Sequence, residues 1–270
     1  MGAEIIRTGV DERGIAEVVV DCPPVNALPV AGWYRLAEAL TSLGRDPRVR
    51  VVVLRAEGRG FNAGVDIKEI QADDGHTALI GANRGCFAAF AAVYDCPVPV
   101  ISAVNGFCLG GGIGLVGNSD IVVAAEDAVF GLPEVDRGAL GAATHLSRLV
   151  PLHKARAMMY TSATATAAEL HAFGSVLEVV PNDRLRERAL ALAAGIAAKN
   201  PVVVRAAKEA FTGIDLWDVK RSYRYEQGFT FELNLSGVAD EVRDTFGRGA
   251  AGRTTAGNGT AGRTTAGGEG

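Results

Sequence analysis

Four short runs rich in β-branched apolar residues constrain the fold of this chain more than any other feature. They occupy residues 16–20, 49–54, 98–104 and 121–125, and charged or turn residues bound each one. Hydrophobicity in these runs is continuous rather than alternating, which is typical of strands covered on both faces. Helix-period segments at residues 29–43 and 84–94 lie between the runs, and a proline opens the first. This alternation predicts an α/β architecture.

Beyond residue 181 the pattern changes from strands to helices. Residues 182–199, 202–211 and 215–235 are helical in pattern and show no further strand signal. From residue 247 the chain is rich in Gly, Thr and Ala and contains AGRTTAG twice, a composition that predicts disorder. We therefore predict a core over residues 1–195, a helical region over 196–246 and a disordered tail over 247–270.

Composition excludes several classes of protein. The chain has 270 residues, 48% of them hydrophobic and 21% charged, which fits an ordinary globular protein. A net charge of −4 does not favour a nucleic-acid partner, and no apolar run approaches the ~20 residues of a membrane span. Four cysteines without a C-x-x-C pair and four histidines without H-E-x-x-H spacing favour reduced thiols and no metal site. We expect a cytoplasmic protein without a signal peptide.

Three glycine-bearing segments are the candidates for chemistry. They are GRGFNAGVDIKEI (residues 58–70), VNGFCLGGGIGLVGNSDIVVA (104–124) and FGLPEVDRGALGAATHLSRLVP (130–151). The first two each follow a predicted strand and lead into a helix, so each turn can direct backbone N–H groups at a ligand. Two such turns from neighbouring strands can direct two donors at one oxygen, which is the layout of an oxyanion hole. Alternatively, the glycines only permit tight packing.

These segments resemble, in order and at the family's spacing, three motifs of the crotonase (enoyl-CoA hydratase/isomerase) superfamily. The resemblance covers about residues 15–245. It implies a crotonase-type spiral of ββα units with a helical C-terminal trimerisation region, and hence a homotrimer or a dimer of trimers. It also implies that the backbone N–H groups of Val65 and Gly111 bind the thioester oxygen of an acyl-CoA substrate. Coenzyme A is then part of the substrate, and no separate cofactor is expected.

The resemblance further implies that the first two glycine segments bind the CoA thioester. The residues concerned are Ala63, Asp66, Ile67 and Lys68 in the first segment and Gly110 in the second. For two of them an ordinary structural role is equally compatible with the sequence. Asp66 is placed to cap the helix that starts there, and Lys68 can be a solvated surface lysine.

The carboxylates favour some reactions of the superfamily over others. Hydration of an enoyl thioester is usually carried out there by two glutamates that share a water. One of them matches Glu134, but the position of the other holds Gly114. A single base suffices for an isomerase or for a C–C hydrolase. His145, eleven residues after Glu134, is a candidate to position or deprotonate water or a structural histidine. Asp136 and Arg137 are further polar candidates, for which surface or ion-pair roles are the alternative.

A longer pattern is similar to one subgroup. It comprises NRGCFAAF (83–90), GGGIGLVGNSD (110–120), EVDRGALGAATHLSRLVP (134–151) and EQGFTFELNLSGVADE (226–241), which resemble the actinobacterial steroid ring-D (indane-dione carboxyl-CoA) hydrolases. This resemblance implies hydrolytic C–C ring opening, with an aromatic helix near residues 223–231 as one wall of a bulky pocket. The alternatives are an enoyl-CoA isomerase or hydratase of fatty acyl-CoA metabolism and a non-catalytic acyl-CoA binding protein.

Overall fold

The computed structural model describes residues 4–73 and 75–245, and the predicted tail at 247–270 lies outside this part of the chain. The described strands form two sheets. They are β1 (Ile6–Val10), β2 (Ile15–Val20), β3 (Val51–Ala56), β4 (Val100–Val104), β5 (Phe107–Leu109), β6 (Ile121–Ala125), β7 (Val129–Gly131), β8 (Thr164–Thr166) and β9 (Glu178–Val180). The larger sheet has the order β1-β2-β3-β4-β6-β9, and the smaller has the order β5-β7-β8.

The four apolar runs of the sequence are the central strands β2, β3, β4 and β6, which confirms the α/β prediction. They run parallel to one another, and β1 pairs antiparallel with β2 at one edge. Alternate residues point to two separate cores: Val52 and Leu54 pack with one buried cluster, and Val51 and Val53 pack with the other. Both faces of the sheet are therefore covered, which is why hydrophobicity in these runs does not alternate.

The described helices connect the strands and cover both faces. They are α1 (Val30–Arg45), α2 (Ile67–Gln71), α3 (Thr77–Tyr94), α4 (Gly111–Val116), α5 (Ala143–Leu149), α6 (Leu152–Thr161), α7 (Ala167–Ala172), α8 (Leu185–Ala197), α9 (Pro201–Gly213) and α10 (Val219–Leu235), with short 3-10 helices at Pro133–Arg137 and Asn182–Arg184. Helices α8 to α10 confirm the helical C-terminal part. Residue 195 lies within α8, whose buried alanines pack on β3, β4 and β6.

The helices were also compared with the requirements of a membrane span. In the described part of the chain, no single helix is long and apolar enough to cross a membrane. Only the bent pair Asn182–Ala197 and Pro201–Gly213, at 107° to each other, meets the length and composition test together.

Segments that follow the central strands continue into a second layer. After β4 the chain turns at Gly106 into β5, and after β6 it enters β7, which pairs in parallel with β5. The segment after β3 joins the same layer through a bridge between Asn62 and Cys108. Gly106 has φ +56, and a Cβ there would lie 2.0 Å from the Arg59 carbonyl oxygen, so only glycine fits the turn. The glycine-rich turns after β3 and β4 thereby become neighbours.

Five strands were not predicted. β1 has one buried residue followed by four exposed ones, so it lacks a period-2 pattern. β5, β7, β8 and β9 have three residues each, which is too short for any hydrophobic period to show. Their pairing is set by the long strands that precede or flank them.

Candidate active site

The two glycine-rich turns touch each other through their backbones. A Cβ on Gly64 would lie 3.3 Å from the Gly111 nitrogen, and a Cβ on Gly111 would lie 3.4 Å from the Gly64 Cα. Gly64 and Gly110 have φ of +87 and +57, a region that strongly favours glycine. Behind Gly111 stands the Trp33 ring, which a Cβ would approach to 2.7 Å. These contacts require glycine at all three positions.

The N–H groups of Val65 and Gly111 remain available at this contact. Val65 bridges to Leu28, which accepts from Asp66 N–H at 3.0 Å and donates to the Gly64 carbonyl at 2.9 Å, so the Val65 N–H points to the other side. Gly111 is the first residue of α4, where an N–H has no intrahelical acceptor. Within residues 4–73 and 75–245, neither N–H has a hydrogen-bond partner. This is the arrangement that an oxyanion hole requires.

Two buried asparagines hold the first turn in place. The Asn62 side-chain amide donates to the Asn26 carbonyl at 2.6 Å, and its oxygen accepts from the Gly64 N–H at 2.8 Å. Asn26, at φ +54, donates to the Glu57 and Gly60 carbonyls, each at 2.7 Å. Neither asparagine stands out in the sequence, because a lone Asn in a turn is an ordinary turn residue.

A largely apolar cavity of about 540 Å³ opens at the glycine contact. Of the residues proposed from the sequence, those that line it are Ala63, Val65, Asp66, Ile67, Lys68, Gly110, Gly111, Glu134 and Arg137. Asp66 also caps α2 by accepting from the Lys68 N–H at 3.0 Å, and Lys68 is exposed at the cavity's edge. The structure therefore brings these nine residues to a single cavity, whereas Asp136 and His145 do not line it.

Glu134 reaches the cavity from the 3-10 helix Pro133–Arg137. A Cβ on Gly110 would lie 2.8 Å from its Oε1, so the carboxyl group stands directly beside the second glycine turn. Its Oε2 is buried and has no hydrogen-bond partner among the described residues. Burial raises the pKa of Glu134 to about 8; nearby Arg137 acts against that rise and Glu226 adds to it. A carboxyl with this pKa can take and return a proton near neutral pH.

His145, the remaining residue proposed as catalytic, does not line the cavity. It lies in the first turn of α5, is 1% exposed, and packs edge-on against the rings of Phe90 and Tyr223 at 5.3 and 5.6 Å. Burial lowers its pKa to about 3, so the imidazole stays neutral and gains no charge near pH 7. The expectation that His145 positions or deprotonates water is corrected: Phe90 and Tyr223, not His145, line the cavity.

The position that would hold a second carboxylate is closed by an aromatic ring. A Cβ on Gly114 would lie 2.2 Å from two atoms of the Phe90 ring. Phe90 is 2% exposed, lines the cavity, and packs against Trp33 at 5.8 Å and Tyr223 at 5.0 Å. The absence of a carboxylate at 114 is thus matched by a side chain that fills its place.

Helix α10 lines the cavity through Tyr223, Thr230 and Asn234. Tyr225 and Phe229 contact each other and are 71% and 38% exposed, and Phe231 lines a separate hollow. The buried face instead carries Tyr223, Gln227, Thr230 and Asn234, at the spacing of one helix face. Polar residues on that stripe hid it from a search for apolar periodicity, although the spacing itself was visible in the sequence.

Glu226, also on α10, fixes the segment that follows Glu134. Its carboxylate accepts from the Ala143 and Thr144 N–H groups at 2.9 and 3.1 Å and from the Thr144 hydroxyl at 3.2 Å. It therefore caps the start of α5, whose own N-cap residue, Ala142, has no side-chain acceptor. This contact spans 83 positions, so no local pattern in the sequence indicates it.

Comparison with known proteins agrees with this geometry. The family model described as enoyl-CoA hydratase/isomerase matches residues 11–228. A structure of a probable enoyl-CoA hydratase from Mycobacterium thermoresistibile is 30% identical, with a TM-score of 0.77 over 88% of this chain and 96% of that chain. The chain belongs to the enoyl-CoA hydratase/isomerase family, and its fold is that of the crotonases.

Two curated relatives are considerably more similar. Proteins from Rhodococcus jostii (strain RHA1) and Mycobacterium tuberculosis (strain ATCC 25618 / H37Rv) are each 66% identical over 241 residues. The match covers 89% of this chain and 93% and 98% of those proteins. Both are named (7aS)-7a-methyl-1,5-dioxo-2,3,5,6,7,7a-hexahydro-1H-indene-carboxyl-CoA hydrolase.

The contact between Gly114 and Phe90 predicts a marked difference between two Gly→Ala substitutions in helices. Gly114→Ala should destabilise the protein by about 1–3 kcal/mol because its methyl group overpacks against Phe90. Gly228→Ala, in α10 with nothing within 4 Å of the new Cβ, should stabilise it by up to about 1 kcal/mol. Equilibrium denaturation measures both. Equal effects would show that Phe90 gives way freely.

The pKa of Glu134 predicts a pH-dependent gain in stability for Glu134→Gln. Between the ordinary glutamate pKa of 4.5 and the raised pKa of about 8, the folded protein keeps a proton that the unfolded chain has lost. The wild type therefore loses stability as pH rises through this window, by up to about 1.4 kcal/mol per pH unit. The variant's advantage in free energy of unfolding should be larger at pH 8 than at pH 5. Glu12→Gln makes the same change at an exposed position as a control, and a pH-independent advantage would contradict the assignment.

Proposed function

We propose that this chain acts on the bicyclic CoA thioester in the names of the two relatives reported above, opening a ring by hydrolytic C–C cleavage in steroid degradation. The 66% identity over 89% of the chain supports this substrate. A largely apolar cavity of about 540 Å³ beside the oxyanion hole has room for a methylated bicycle.

One observation carries the reaction type: Glu134 has a carboxyl oxygen that is buried without a partner among the described residues, while Phe90 fills the space beside Gly114, where a second carboxylate would stand. Two carboxylates that share a water favour hydration of an alkene, because one removes a proton while the other supplies one. A single carboxyl that first takes a proton and later returns it suits cleavage of a ketone by water. Retention of a carboxyl with a pKa of about 8 also argues against a carrier without catalysis.

The proposed sequence of bond changes uses one water and no other reactant. Glu134 takes a proton from water while the water oxygen bonds to the ring ketone carbon beside the methylated ring-fusion carbon. The tetrahedral adduct collapses, and the bond between these two carbons breaks. Its electron pair moves through the conjugated system to the thioester oxygen, which the Val65 and Gly111 N–H groups stabilise. Glu134 then returns the proton to carbon, leaving a carboxylic acid and an intact thioester.

The proposed site requires no cofactor beyond the coenzyme A of the substrate. Ala63, Asp66, Ile67 and Lys68 line the cavity on the side of the first turn and are the proposed contacts of the thioester arm, with Gly110 on the other side. The proposed location is cytoplasmic, which agrees with four free cysteines, three of them buried.

The bond that is cleaved can be identified from the products. The bicyclic dione thioester is incubated with the protein, free thiol is measured with a thiol reagent, and the product mass is determined. We expect a gain of one water with no thiol release. Thiol release would indicate thioester hydrolysis instead, and rapid hydration of crotonyl-CoA or isomerisation of a 3-enoyl-CoA without ring opening would replace the proposal with hydratase or isomerase chemistry.

Glu134→Gln should lower kcat by about 10²–10⁴-fold because the amide cannot act as a base. In the wild type, kcat/KM should rise with pH through about 8, since the base must first lose its proton. The variant should lack this limb. Steady-state kinetics from pH 6 to 9 measure both. Near-normal hydrolysis by the variant would remove Glu134 from the mechanism.

We also propose that the chain assembles as a homotrimer or a dimer of trimers. Large apolar side chains of α9 and the segment after it are 41–97% exposed: Val202, Val203, Phe211, Ile214, Leu216 and Trp217. So many exposed apolar side chains on one segment are typical of an interface. Light scattering coupled to size exclusion should give three or six times 28.0 kDa, and Phe211→Glu should lower that mass. A monomeric wild type would contradict the proposal.

A further inference from the structure

Tyr223 brings a phenol to the cavity that Glu134 lines. It extends from α10, lines the same cavity as Glu134, and is 7% exposed. Its ring packs between Phe90 at 5.0 Å and His145 at 5.6 Å, and its hydroxyl lies beside the Cys86 thiol and the Gln227 side chain. The aromatic neighbours fix the ring, so the hydroxyl has a defined position.

Gln227 and Cys86 are the polar neighbours of this hydroxyl. Gln227 accepts through Oε1 from the Arg224 guanidinium at 3.1 Å and donates through Nε2 to the Asn83 carbonyl at 2.6 Å. Both ends of the amide are thereby assigned, because a guanidinium cannot accept and a carbonyl cannot donate. Nε2 retains a second N–H, and Gln227 lowers the pKa of Tyr223, as an N–H donated to the phenol oxygen does. Tyr223 in turn lowers the pKa of Cys86, as a hydroxyl donated to the sulfur does, so a bound ketone would compete with Cys86 for the phenol's proton.

The proposed reaction develops a second charge that the Val65 and Gly111 N–H groups do not stabilise. When water adds to the ring ketone, negative charge appears first on the ketone oxygen and only later on the thioester oxygen. Val65 and Gly111 are committed to the thioester oxygen, and Glu134 holds the proton taken from water. Stabilising the first charge requires a hydrogen-bond donor on the Glu134 side of the cavity.

We propose that Tyr223 is a catalytic residue that donates its phenolic hydrogen bond to the ring ketone oxygen of a bicyclic acyl-CoA substrate, opposite the water activated by Glu134. This role rests on the proposed ring hydrolysis. The cavity would then contain two separate oxyanion sites, one of backbone N–H groups for the thioester and one of phenol for the ketone.

The electrostatics of the cavity agree with a donor rather than an acid that loses its proton. Burial and the carboxyl groups of Glu226 and Glu134 raise the pKa of Tyr223 well above 10. The phenol therefore stays protonated while Glu134 cycles between its two forms. Tyr223 and Glu134 line the same cavity.

In this step the proton count closes without transfer from Tyr223. Water gives one proton to Glu134 and its oxygen to the ketone carbon, and the ketone oxygen gains charge that the phenol hydrogen-bonds. Collapse restores the carbonyl and breaks the C–C bond, and the charge leaves for the thioester oxygen. Glu134 returns its proton to carbon, and the phenol hydrogen bond passes to the new carboxyl group.

Tyr223→Phe tests the proposal because it removes only the hydroxyl and keeps the ring between Phe90 and His145. With the bicyclic dione thioester, kcat should fall about 10²–10³-fold, as for loss of one oxyanion donor. KM should stay within about threefold, and the pH limb near 8 should remain, since Glu134 is retained. Tyr94→Phe is the matched control: it removes a hydroxyl that bonds Thr212 and Asp215, each at 3.2 Å, outside the lining of this cavity, and should leave kcat unchanged.

Two results would overturn the role of Tyr223. One is a kcat for Tyr223→Phe within twofold of the wild type; the other is a loss that appears only as a higher KM, which would indicate packing of the bound substrate. A failure of the proposed function looks different, because the wild type itself would then not open the ring. Unchanged thioester binding by the variant, measured by calorimetry, shows that the site remains folded.

Discussion

The whole site depends on the contact between two backbones at Gly64, Gly110 and Gly111. Two N–H groups can point at one oxygen only if the turns that carry them touch. Here a Cβ on Gly111 would lie 3.4 Å from the Gly64 Cα, so the two turns are in contact. The parallel order of β3 and β4 places both turns at the same end of the sheet. Trp33 behind Gly111 and the Asn62 amide beneath Gly64 keep the turns from separating.

Desolvation then sets the chemistry of the groups that face this contact. Burial raises the pKa of Glu134 into the range of a working base, holds Tyr223 protonated and keeps His145 neutral. The same apolar surroundings thus favour the uncharged form of all three side chains. Burial of Glu134 also lowers the free energy of unfolding, because its Oε2 has no hydrogen-bond partner among the described residues.

The sequence predicted the parts of the fold and site that are local. The central strands follow from continuous apolar runs, and the backbone donors follow from glycines placed after two of those strands. What could not be predicted depends on contacts between distant segments. Whether His145 or Tyr223 faces the cavity is decided by how α5 and α10 pack against Phe90, and the Glu226 cap spans 83 positions. The inward face of α10 could not be recognised in the sequence because its stripe is polar, and polar residues ordinarily mark the solvent side of a helix.

Phe90 and Gly114 show how one family scaffold can support different reactions. Loss of a carboxylate at 114 alone would leave a hole that water could fill, and a second water near the alkene would still permit hydration. Placing an aromatic ring in that hole removes the water as well as the carboxylate, and it also supplies one side of the clamp that fixes Tyr223. A phenol held in this way cannot remove a proton at neutral pH, but it can donate a hydrogen bond. The exchange therefore removes the place of one carboxylate and leaves Glu134, Tyr223 and the backbone N–H groups of Val65 and Gly111 around one cavity.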